Sequence, residues 1–250
     1  MTVLTLRNVS KNFGGIRALT DMSLTVPEGR IVGVIGPNGA GKTTLFNLIT
    51  GAYRASAGEV LLAGKDVTQW PSHRIMRSGI ARTFQNIRLF GSMTVWEHLL
   101  VAQPRQGGLW RSVLPIGWAD AAAQARAEDA LTFFGLEQYR DVIARTLPYG
   151  IQRKVEMARA LTAQPKLLLL DEPVAGMNAE EAEDLRLLFH RLNERGLSIL
   201  LIEHDMPFVM TLCHHLYVLN FGVLIAEGTP DEIRKDPIVL DAYLGTEEAA

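Results

Sequence analysis

The sequence predicts an α/β fold with a mostly parallel core sheet covered by helices. A glycine-rich loop at 36–44, Gly-Pro-Asn-Gly-Ala-Gly-Lys-Thr-Thr, follows the apolar run 31–35 and precedes a helical pattern at 45–49. After Pro165, apolar strands alternate regularly with amphipathic helices. Such alternation predicts a parallel sheet, because each helix carries the chain back to begin the next strand in the same direction.

The elements before Pro165 fall into two groups. Strand patterns dominate the first third, at 2–9, 22–26, 31–35 and 60–62, and helical patterns follow from about Pro71, at 95–102, 120–134 and 152–161. Residues 103–118 are rich in Gly and Pro and are expected to form an irregular insertion. We therefore expect a single domain over 1–250, with a β-rich N-terminal part, an α/β core (1–85 and 161–250) and an inserted α-helical subdomain (86–160).

The elements expected after Pro165 continue to the C-terminus. They are the strand 166–171, the helix 180–195, the strand 198–203, the helix 206–213 and the strands 216–219 and 223–227. Within the helix 180–195, apolar residues recur at helical spacing, at Leu185, Leu188, Phe189 and Leu192. These positions are expected to face the core.

Composition excludes several classes of protein. The chain has 250 residues, with 25 Lys and Arg against 27 Asp and Glu, so its net charge is −2. This balance argues against a nucleic-acid-binding protein held by a basic face. The single cysteine, Cys213, excludes a disulfide framework and most zinc sites, and it fits a reducing cytoplasm.

No apolar stretch is long enough to predict a membrane span. The longest ones, such as 167–170 and 199–202, are far shorter than the roughly 20 residues that a spanning helix needs. The N-terminus also lacks the cationic and apolar pattern of a secretory signal. We therefore expect a soluble chain that reaches a membrane only through a partner.

The loop 36–44 is predicted to bind phosphates. Gly36, Gly39 and Gly41 let the backbone approach a polyphosphate, so that amide groups and a helix N-terminus converge on the anion. Lys42 is then expected to reach the β- and γ-phosphates, while the Thr43 hydroxyl ligates Mg²⁺. The alternative is a glycine-rich turn with a chance match, which the preceding strand and the following helix disfavour.

Two carboxylates end a fully apolar strand. Asp171 and Glu172 directly follow the run 167–170. Ligands of open α/β sheets bind at the carboxyl ends of the strands, so these acids are expected beside the phosphate-binding loop. Asp171 suits a Mg²⁺ shell, and Glu172 suits polarisation of an attacking water. The alternative is a strand that simply ends in polar turn residues before Pro173.

The order of these motifs resembles that of the ATP-binding subunits of ABC transporters, over essentially the whole chain. The matching features are the glycine-rich loop with Lys42, then Gln85, a Leu-x-x-Gly-x-Gln-Arg segment at 147–153, Asp171-Glu172-Pro173 and His204. More closely, the chain is similar to ATP-binding proteins of bacterial branched-chain amino acid uptake systems, at 81–85, 175–178, 202–206 and 242–245. Lipopolysaccharide-export and urea-uptake relatives share much of this narrower pattern.

The resemblance implies roles for individual residues. ATP is expected to contact Phe13, Gly36, Pro37, Asn38, Gly39, Ala40, Gly41, Lys42, Thr43 and Thr44. Mg²⁺ is expected at Thr43, Gln85 and Asp171, and catalysis at Glu172, His204 and Gln85. Phe13 would stack on the adenine, although a lone aromatic residue fits the core equally well. For Gln85 and His204 the alternatives are a surface-loop glutamine and a structural histidine.

A signature segment is expected to face the ATP of a partner ATPase, through Leu147, Pro148, Tyr149, Gly150 and Gln152. Pro148 stands where the usual family signature has serine, and Tyr149 where it has glycine. The Gly150 amide and the helix that follows remain available for anion binding.

Asn178 falls in the loop that crosses the dimer interface in the family. Many members carry aspartate there. Locally, Asn178 followed by Glu181 predicts a helix N-cap with an acidic third position. The two roles are compatible.

The function expected from this resemblance is Mg²⁺-dependent ATP hydrolysis that drives solute import. The expected partners are integral-membrane permeases, a second copy or a second ABC ATPase, and a solute-binding protein, but no nucleic acid. The location would be cytoplasmic, on the inner face of the membrane. An apolar cluster at Ile87, Leu89 and Phe90 would receive a permease helix, or else pack inside the helical subdomain.

Three alternatives stay open from the sequence alone. They are an ABC ATPase for urea or lipopolysaccharide, a soluble ABC ATPase of DNA repair or translation, and a regulatory subunit that hydrolyses ATP poorly. The second normally carries a long coiled-coil insertion or a second ATPase unit, and neither is visible here. Lys42, Gln85, Glu172 and His204 argue against the third.

Overall fold

The computed structural model describes residues 1–83, 87–103 and 121–244. It divides into two compact units, Met1–Ile80 with Lys166–Ala250 and, between them, Ala81–Pro165. The helical subdomain expected at 86–160 falls within the bounds of this second unit.

The bounds of the elements are as follows. The strands are β1 (Thr2–Phe13), β2 (Ile16–Pro27), β3 (Ile31–Ile35), β4 (Ala57–Leu62), β5 (Lys65–Asp66), β6 (Ile80–Arg82), β7 (Leu167–Asp171), β8 (Ser198–Ile202), β9 (His215–Asn220) and β10 (Val223–Gly228). The helices are α1 (Lys42–Ile49), α2 (Ser72–Arg77), α3 (Val95–Val101), α4 (Ala121–Phe134), α5 (Tyr149–Thr162), α6 (Ala179–Glu194), α7 (Met206–Leu212), α8 (Pro230–Ile233) and α9 (Pro237–Leu244).

One sheet of the first unit is antiparallel, with the strand order β2-β1-β4-β5. Leu4 and Leu6 alternate with more exposed residues along β1 and are buried in the core. The hairpin of β1 and β2 extends beyond the predicted strands 2–9 and 22–26. Its far end, from Phe13 to Ile16, is exposed although both of these residues are apolar, so the alternation of buried and exposed side chains that marks the predicted strands does not continue there.

The second sheet has the strand order β10-β9-β3-β8-β7-β6. Strands β7, β8, β3 and β9 are parallel, while β10 pairs antiparallel with β9. Every residue of β3, β7 and β8 is buried, as expected for strands covered on both faces. The predicted mostly parallel core sheet is therefore confirmed.

Helix α6 begins as predicted. The Asn178 side chain accepts a hydrogen bond from the Glu181 amide, and the Glu181 side chain accepts one from the Asn178 amide. This capping box satisfies two amides that the helix start would otherwise leave unpaired. The four predicted apolar positions of α6, Leu185, Leu188, Phe189 and Leu192, are buried.

In the described residues of the second unit, the α-helices α3, α4 and α5 pack against one another. The irregular insertion predicted at 103–118 lies outside the described residues except for Gln103. Its buried side chain donates hydrogen bonds to the carbonyls of Leu99 and Ala123. Within the described part of the chain, no helix combines the length and apolar character needed to span a bilayer.

Candidate nucleotide-binding site

The glycine-rich loop lies between the buried strand β3 and helix α1, as predicted. Gly36 and Gly41 adopt φ angles of 149° and 105°, which disfavour residues with a side chain. A Cβ atom at Gly36 would overlap the carbonyl oxygen of Leu219, and one at Gly41 would lie 2.9 Å from the carbonyl oxygen of Ala18. Glycine is therefore required at both ends of the loop.

The turn between β9 and β10 is hydrogen-bonded to the phosphate-binding loop. The amide of Gly222 donates a hydrogen bond of 2.9 Å to the carbonyl of Ala40, and its own carbonyl accepts one of 2.8 Å from the amide of Thr20 in β2. Gly222 has a φ of 78°, and a Cβ there would lie 2.6 Å from the carbonyl oxygen of Ala18. The phosphate-binding loop is thus fixed to both sheets of the first unit.

The start of α1 is open to an anion. Gly41 occupies the N-cap position, and no side chain caps the helix. Asn38, Gly39 and Thr43 are exposed, whereas Gly36 and Ala40 are buried. Uncapped amide groups and the positive end of the helix dipole are the features that bind phosphate.

Lys42 is folded back onto the loop. Its Nζ donates hydrogen bonds to the carbonyls of Gly36 and Pro37 at 2.6 and 3.0 Å. Burial lowers the pKa of Lys42, and the nearby carboxylates of Glu172, Asp171 and Glu203 oppose this shift. The structure thus brings the loop lysine close enough to the acids at the ends of β7 and β8 for their charges to affect its pKa.

The carboxylates after β7 differ in exposure. Asp171 is the last residue of β7 and is buried, whereas the Glu172 side chain is 20% exposed. Glu172 has a φ of 48°, in the left-handed region, and its amide donates a 2.9 Å hydrogen bond to the carbonyl of Ile202. A non-glycine residue in this region costs about 1–3 kcal/mol, which the surrounding structure must supply.

His204 lies between two acids. Its Nδ1 is 3.8 Å from Oε1 of Glu172 and 3.7 Å from Oε2 of Glu203. The imidazole is 59% exposed, so a ligand can reach it. The structure therefore places Glu172 and His204 side by side, at the ends of the neighbouring parallel strands β7 and β8.

Sequence reasoning assigned no role to Glu203, although the residue is fully buried. Its carboxylate accepts hydrogen bonds from three backbone amides, those of Val174, His204 and Asp205. The sequence carried no signal for this burial, because Asp171 and Glu172 follow an apolar strand in the same way as Glu203 does.

Phe13 is at the end of β1 and is 41% exposed, so the alternative of a core residue is wrong. Its ring makes an edge-to-face contact with Tyr53, with centroids 5.1 Å apart. The ammonium of Lys11 lies 4.8 Å from the Phe13 centroid and donates a hydrogen bond to the carbonyl of Arg54. This arrangement leaves an aromatic surface accessible to a planar ligand.

The predicted signature residues lie at the start of α5 in the second unit. Pro148 is the N-cap residue and provides no side-chain hydrogen bond, and Tyr149 is 44% exposed. The Gln152 side chain donates hydrogen bonds to the carbonyls of Leu147 and Arg145, at 2.7 and 3.1 Å. Gln152 thus holds the segment before the helix against its first turn.

Gln85 lies outside the described residues. In the segment that follows, Phe90 is 54% exposed, which excludes the alternative that its side chain packs inside the unit. Two side chains hold this segment in place. His98 accepts a 2.8 Å hydrogen bond from the Phe90 amide, and Arg159 of α5 donates one of 2.6 Å to the Arg88 carbonyl.

The donor atoms of the site fit a magnesium polyphosphate. The Thr43 hydroxyl and the Asp171 carboxylate are hard oxygen ligands of the kind that Mg²⁺ prefers, and the amides at the loop suit phosphate oxygens. The described residues contain no cluster of three or more His, Cys, Asp and Glu side chains that could hold a metal by itself.

Comparison with protein families decides the relationship. The family model described as ABC transporter matches residues 19–175, more than half of the chain. The chain belongs to the ABC transporter family. A second model, described as branched-chain amino acid ATP-binding cassette transporter, matches residues 223–249 of this ABC ATPase.

Known relatives agree over nearly the full length. The high-affinity branched-chain amino acid transport ATP-binding protein BraF of Pseudomonas aeruginosa is 42% identical to this ABC ATPase, over 97% of this chain and 98% of BraF. LivG of Escherichia coli, of the same description, is 43% identical over the same shares of the two chains. The predicted resemblance to this family is confirmed.

Solved structures of ABC cassettes share the fold. The ADP conformation of an ATP-binding cassette from an ABC transporter superimposes with a TM-score of 0.88 at 35% identity, covering 98% of this chain and 99% of that one. With the matching family, this supports the predicted activity. The protein is an ATPase that binds ATP.

Proposed function

We propose that this ABC ATPase drives the import of branched-chain or related amino acids as one ABC ATPase domain over residues 1–250. The supporting observation is the agreement of two findings, the 42–43% identity to BraF and LivG and the family-specific match at 223–249. The lipopolysaccharide export protein LptB of Haemophilus influenzae is 36% identical, over 98% of this chain and of LptB, so that class of cargo is the second candidate.

In this proposal the loop 36–44 and the start of α1 hold the phosphates of ATP, and Phe13 stacks on the adenine. Lys42 exchanges its bonds to the Gly36 and Pro37 carbonyls for the β- and γ-phosphate oxygens. Thr43, Asp171 and Gln85 hold Mg²⁺. When bound, the ion neutralises charge on the phosphate oxygens.

Glu172 orients the attacking water and polarises it by accepting a hydrogen bond from it. The water oxygen bonds to the γ-phosphorus, the bond from this phosphorus to the bridging oxygen of ADP breaks, and one proton of the water passes through Glu172 to solvent. ADP and hydrogen phosphate then leave. His204 donates a hydrogen bond to the γ-phosphate, and its position 3.8 Å from Glu172 allows both side chains to act on the same group. Gln85 contributes to the contacts of the metal and the water.

Two ATPase subunits close head to tail over two ATP molecules. Leu147, Pro148, Tyr149, Gly150 and Gln152 of each subunit then face the phosphates held by the other. A solved cassette described as a dimeric post-hydrolysis state bound to ADP and Pi supports such a pair, with a TM-score of 0.75 and 25% identity over 91% of this chain and 98% of that one. The pair is a homodimer or includes a second ABC ATPase.

The remaining partners are integral-membrane permeases and a solute-binding protein. The exposed Phe90 and its neighbours Ile87 and Leu89 form the surface that receives a cytoplasmic helix of a permease. The ATPase is therefore placed at the inner face of the membrane, peripheral and cytoplasmic. Hydrolysis releases the closed pair and returns the permeases to their resting conformation.

Uptake into vesicles tests this proposal. The ATPase is co-expressed with the permeases and the solute-binding protein of a branched-chain amino acid uptake system, reconstituted into proteoliposomes, and supplied with ATP on the ATPase side. We expect accumulation of labelled leucine or isoleucine that is lost in Lys42→Ala. Active ATP hydrolysis together with uptake of urea only, or of no amino acid, would contradict the proposed cargo.

A further inference from the structure

Glu203 is a fully buried carboxylate at the edge of the parallel sheet where β7 and β8 end, beside Glu172 and His204. It directly follows β8 and is 0% exposed. Removing a carboxylate from water is costly unless its oxygens find strong donors. Burial raises the pKa of Glu203, while its hydrogen bonds to backbone amides oppose this shift.

The amides that bind Glu203 belong to two different loops. Val174, in the turn that follows β7 and contains Glu172, donates to Oε1 at 3.0 Å. His204 and Asp205, in the loop that follows β8, donate to Oε2 at 2.9 and 3.3 Å. One side chain therefore bridges the turn of Glu172 and the loop of His204.

We propose that Glu203 is a positioning residue for ATP hydrolysis. Its two oxygens fix the two loops relative to each other, so that Nδ1 of His204 stays 3.8 Å from Oε1 of Glu172. The inference rests on the roles proposed above for Glu172 and His204. It differs from a purely structural role, in which Glu203 would only satisfy buried amides.

Glu203→Gln preserves the size of the side chain and leaves one accepting oxygen. The other position becomes an NH₂ group that cannot accept from an amide, so one of the two loops loses its anchor. We expect kcat for ATP hydrolysis to fall about 10- to 100-fold, while the affinity for ATP, measured with a fluorescent analogue, stays within about twofold.

The matched control is Ser198→Ala, at the opposite end of β8. Ser198 is also fully buried, and its hydroxyl accepts a 3.0 Å hydrogen bond from the Gly29 amide, far along the strand from Glu203. This variant should lower the melting temperature and leave kcat unchanged. A double variant adds a second criterion. In a His204→Ala background, Glu203→Gln should lower kcat by a smaller factor than it does alone, because one of the groups it positions is gone.

An unchanged kcat in Glu203→Gln would overturn the inference. So would a double variant in which kcat falls by the full product of the two single-variant factors. If Glu203→Gln does not fold, Glu203→Asp decides by the same criteria, because its shorter carboxylate keeps the charge but cannot span both loops. Full turnover in Glu172→Gln would overturn the proposed catalytic site. A lowered kcat in Glu172→Gln together with an unchanged kcat in Glu203→Gln would overturn only the positioning role of Glu203.

Discussion

The backbone amide of Phe90 donates a hydrogen bond of 2.8 Å to Nε2 of the buried His98. The other ring nitrogen, Nδ1, lies 2.8 Å from the carbonyl oxygen of Thr94. Because Nε2 accepts, the proton of the neutral ring is on Nδ1, and both nitrogens are used. Protonation would place a second N–H against the Phe90 amide and break this hydrogen bond to the segment that carries the exposed Phe90 ring.

The stability of the protein should therefore depend on the charge state of His98. Burial lowers the pKa of His98 below its ordinary 6.5, and the charge of Arg159 contributes, although the Thr94 carbonyl and Glu97 oppose the shift. Below pH 6.5 the unfolded chain takes up a proton at this residue that the folded chain does not. The contribution of neutral His98 to the free energy of unfolding is thus fully present above pH 6.5. It is lost as the pH falls towards the pKa that His98 has in the folded protein.

Urea unfolding of the wild type and of His98→Gln at several pH values measures this effect. Between pH 6.5 and 5.5, the free energy of unfolding of the wild type should fall by up to about 1.4 kcal/mol per pH unit more than that of the variant. His214 also has a lowered pKa, but it is present in both proteins and cancels in the difference. Parallel pH profiles of the two proteins would show that His98 does not titrate differently on folding.

Phe90→Asp tests the proposed permease surface. The ring is 54% exposed, so the substitution should leave the fold and the ATPase activity of the isolated subunit within about twofold. The amount of permease that co-purifies should fall at least about fivefold, because a charge replaces an apolar anchor. Leu187→Asp, at a 48% exposed position of α6, is the control. Equal losses in both variants would contradict a specific role for Phe90.

Glu172→Gln should bind ATP but hydrolyse it about 10²- to 10⁴-fold more slowly, because the amide keeps the shape of the side chain without polarising water. ATP-dependent dimers should then accumulate, measured by size-exclusion chromatography beside a phosphate-release assay. Glu180→Gln, at an exposed position in the first turn of α6, should retain normal turnover. Normal turnover in Glu172→Gln would refute its assignment.

Pro148→Ser tests the departure from the usual signature. A serine hydroxyl can donate to the phosphate held by the opposite subunit, and a hydrogen bond to a charged group contributes roughly 1.5–3 kcal/mol. In a Glu172→Gln background, the ATP concentration at half-maximal dimer formation should fall about tenfold or more.

Serine would also cap α5, which lacks a side-chain cap, and a cap alone stabilises a helix by about 1 kcal/mol. Pro148→Asp separates the two effects, because aspartate caps the helix but repels phosphate. It should raise the melting temperature of the monomer without promoting dimers. If Pro148→Ser leaves the ATP concentration at half-maximal dimer formation unchanged, the Gly150 amide and the start of the helix already provide the hydrogen bonds that the phosphate needs.

Features that depend on local chain geometry were predictable from the sequence. The glycines at 36 and 41, the apolar runs of β3, β7 and β8, and the capping box of Asn178 with Glu181 each follow from neighbouring residues. For Glu172 the sequence predicted only a place beside the phosphate-binding loop, because ligands of such sheets bind at the carboxyl ends of the strands. The structure adds that β7 and β8 are neighbours and that Nδ1 of His204 lies 3.8 Å from Oε1 of Glu172.

Only the tertiary structure decided which surfaces meet across distant parts of the chain. The bridge from Glu203 to the Val174 amide joins residues 29 positions apart, and the support of the phosphate-binding loop by Gly222 joins positions still more distant in sequence. The same holds for the contact of Phe13 with Tyr53 and for the exposure of Phe90. A hydrophobic pattern in the sequence predicts which face of a single helix or strand is buried. These contacts depend instead on how strand ends and loops from distant parts of the chain pack together.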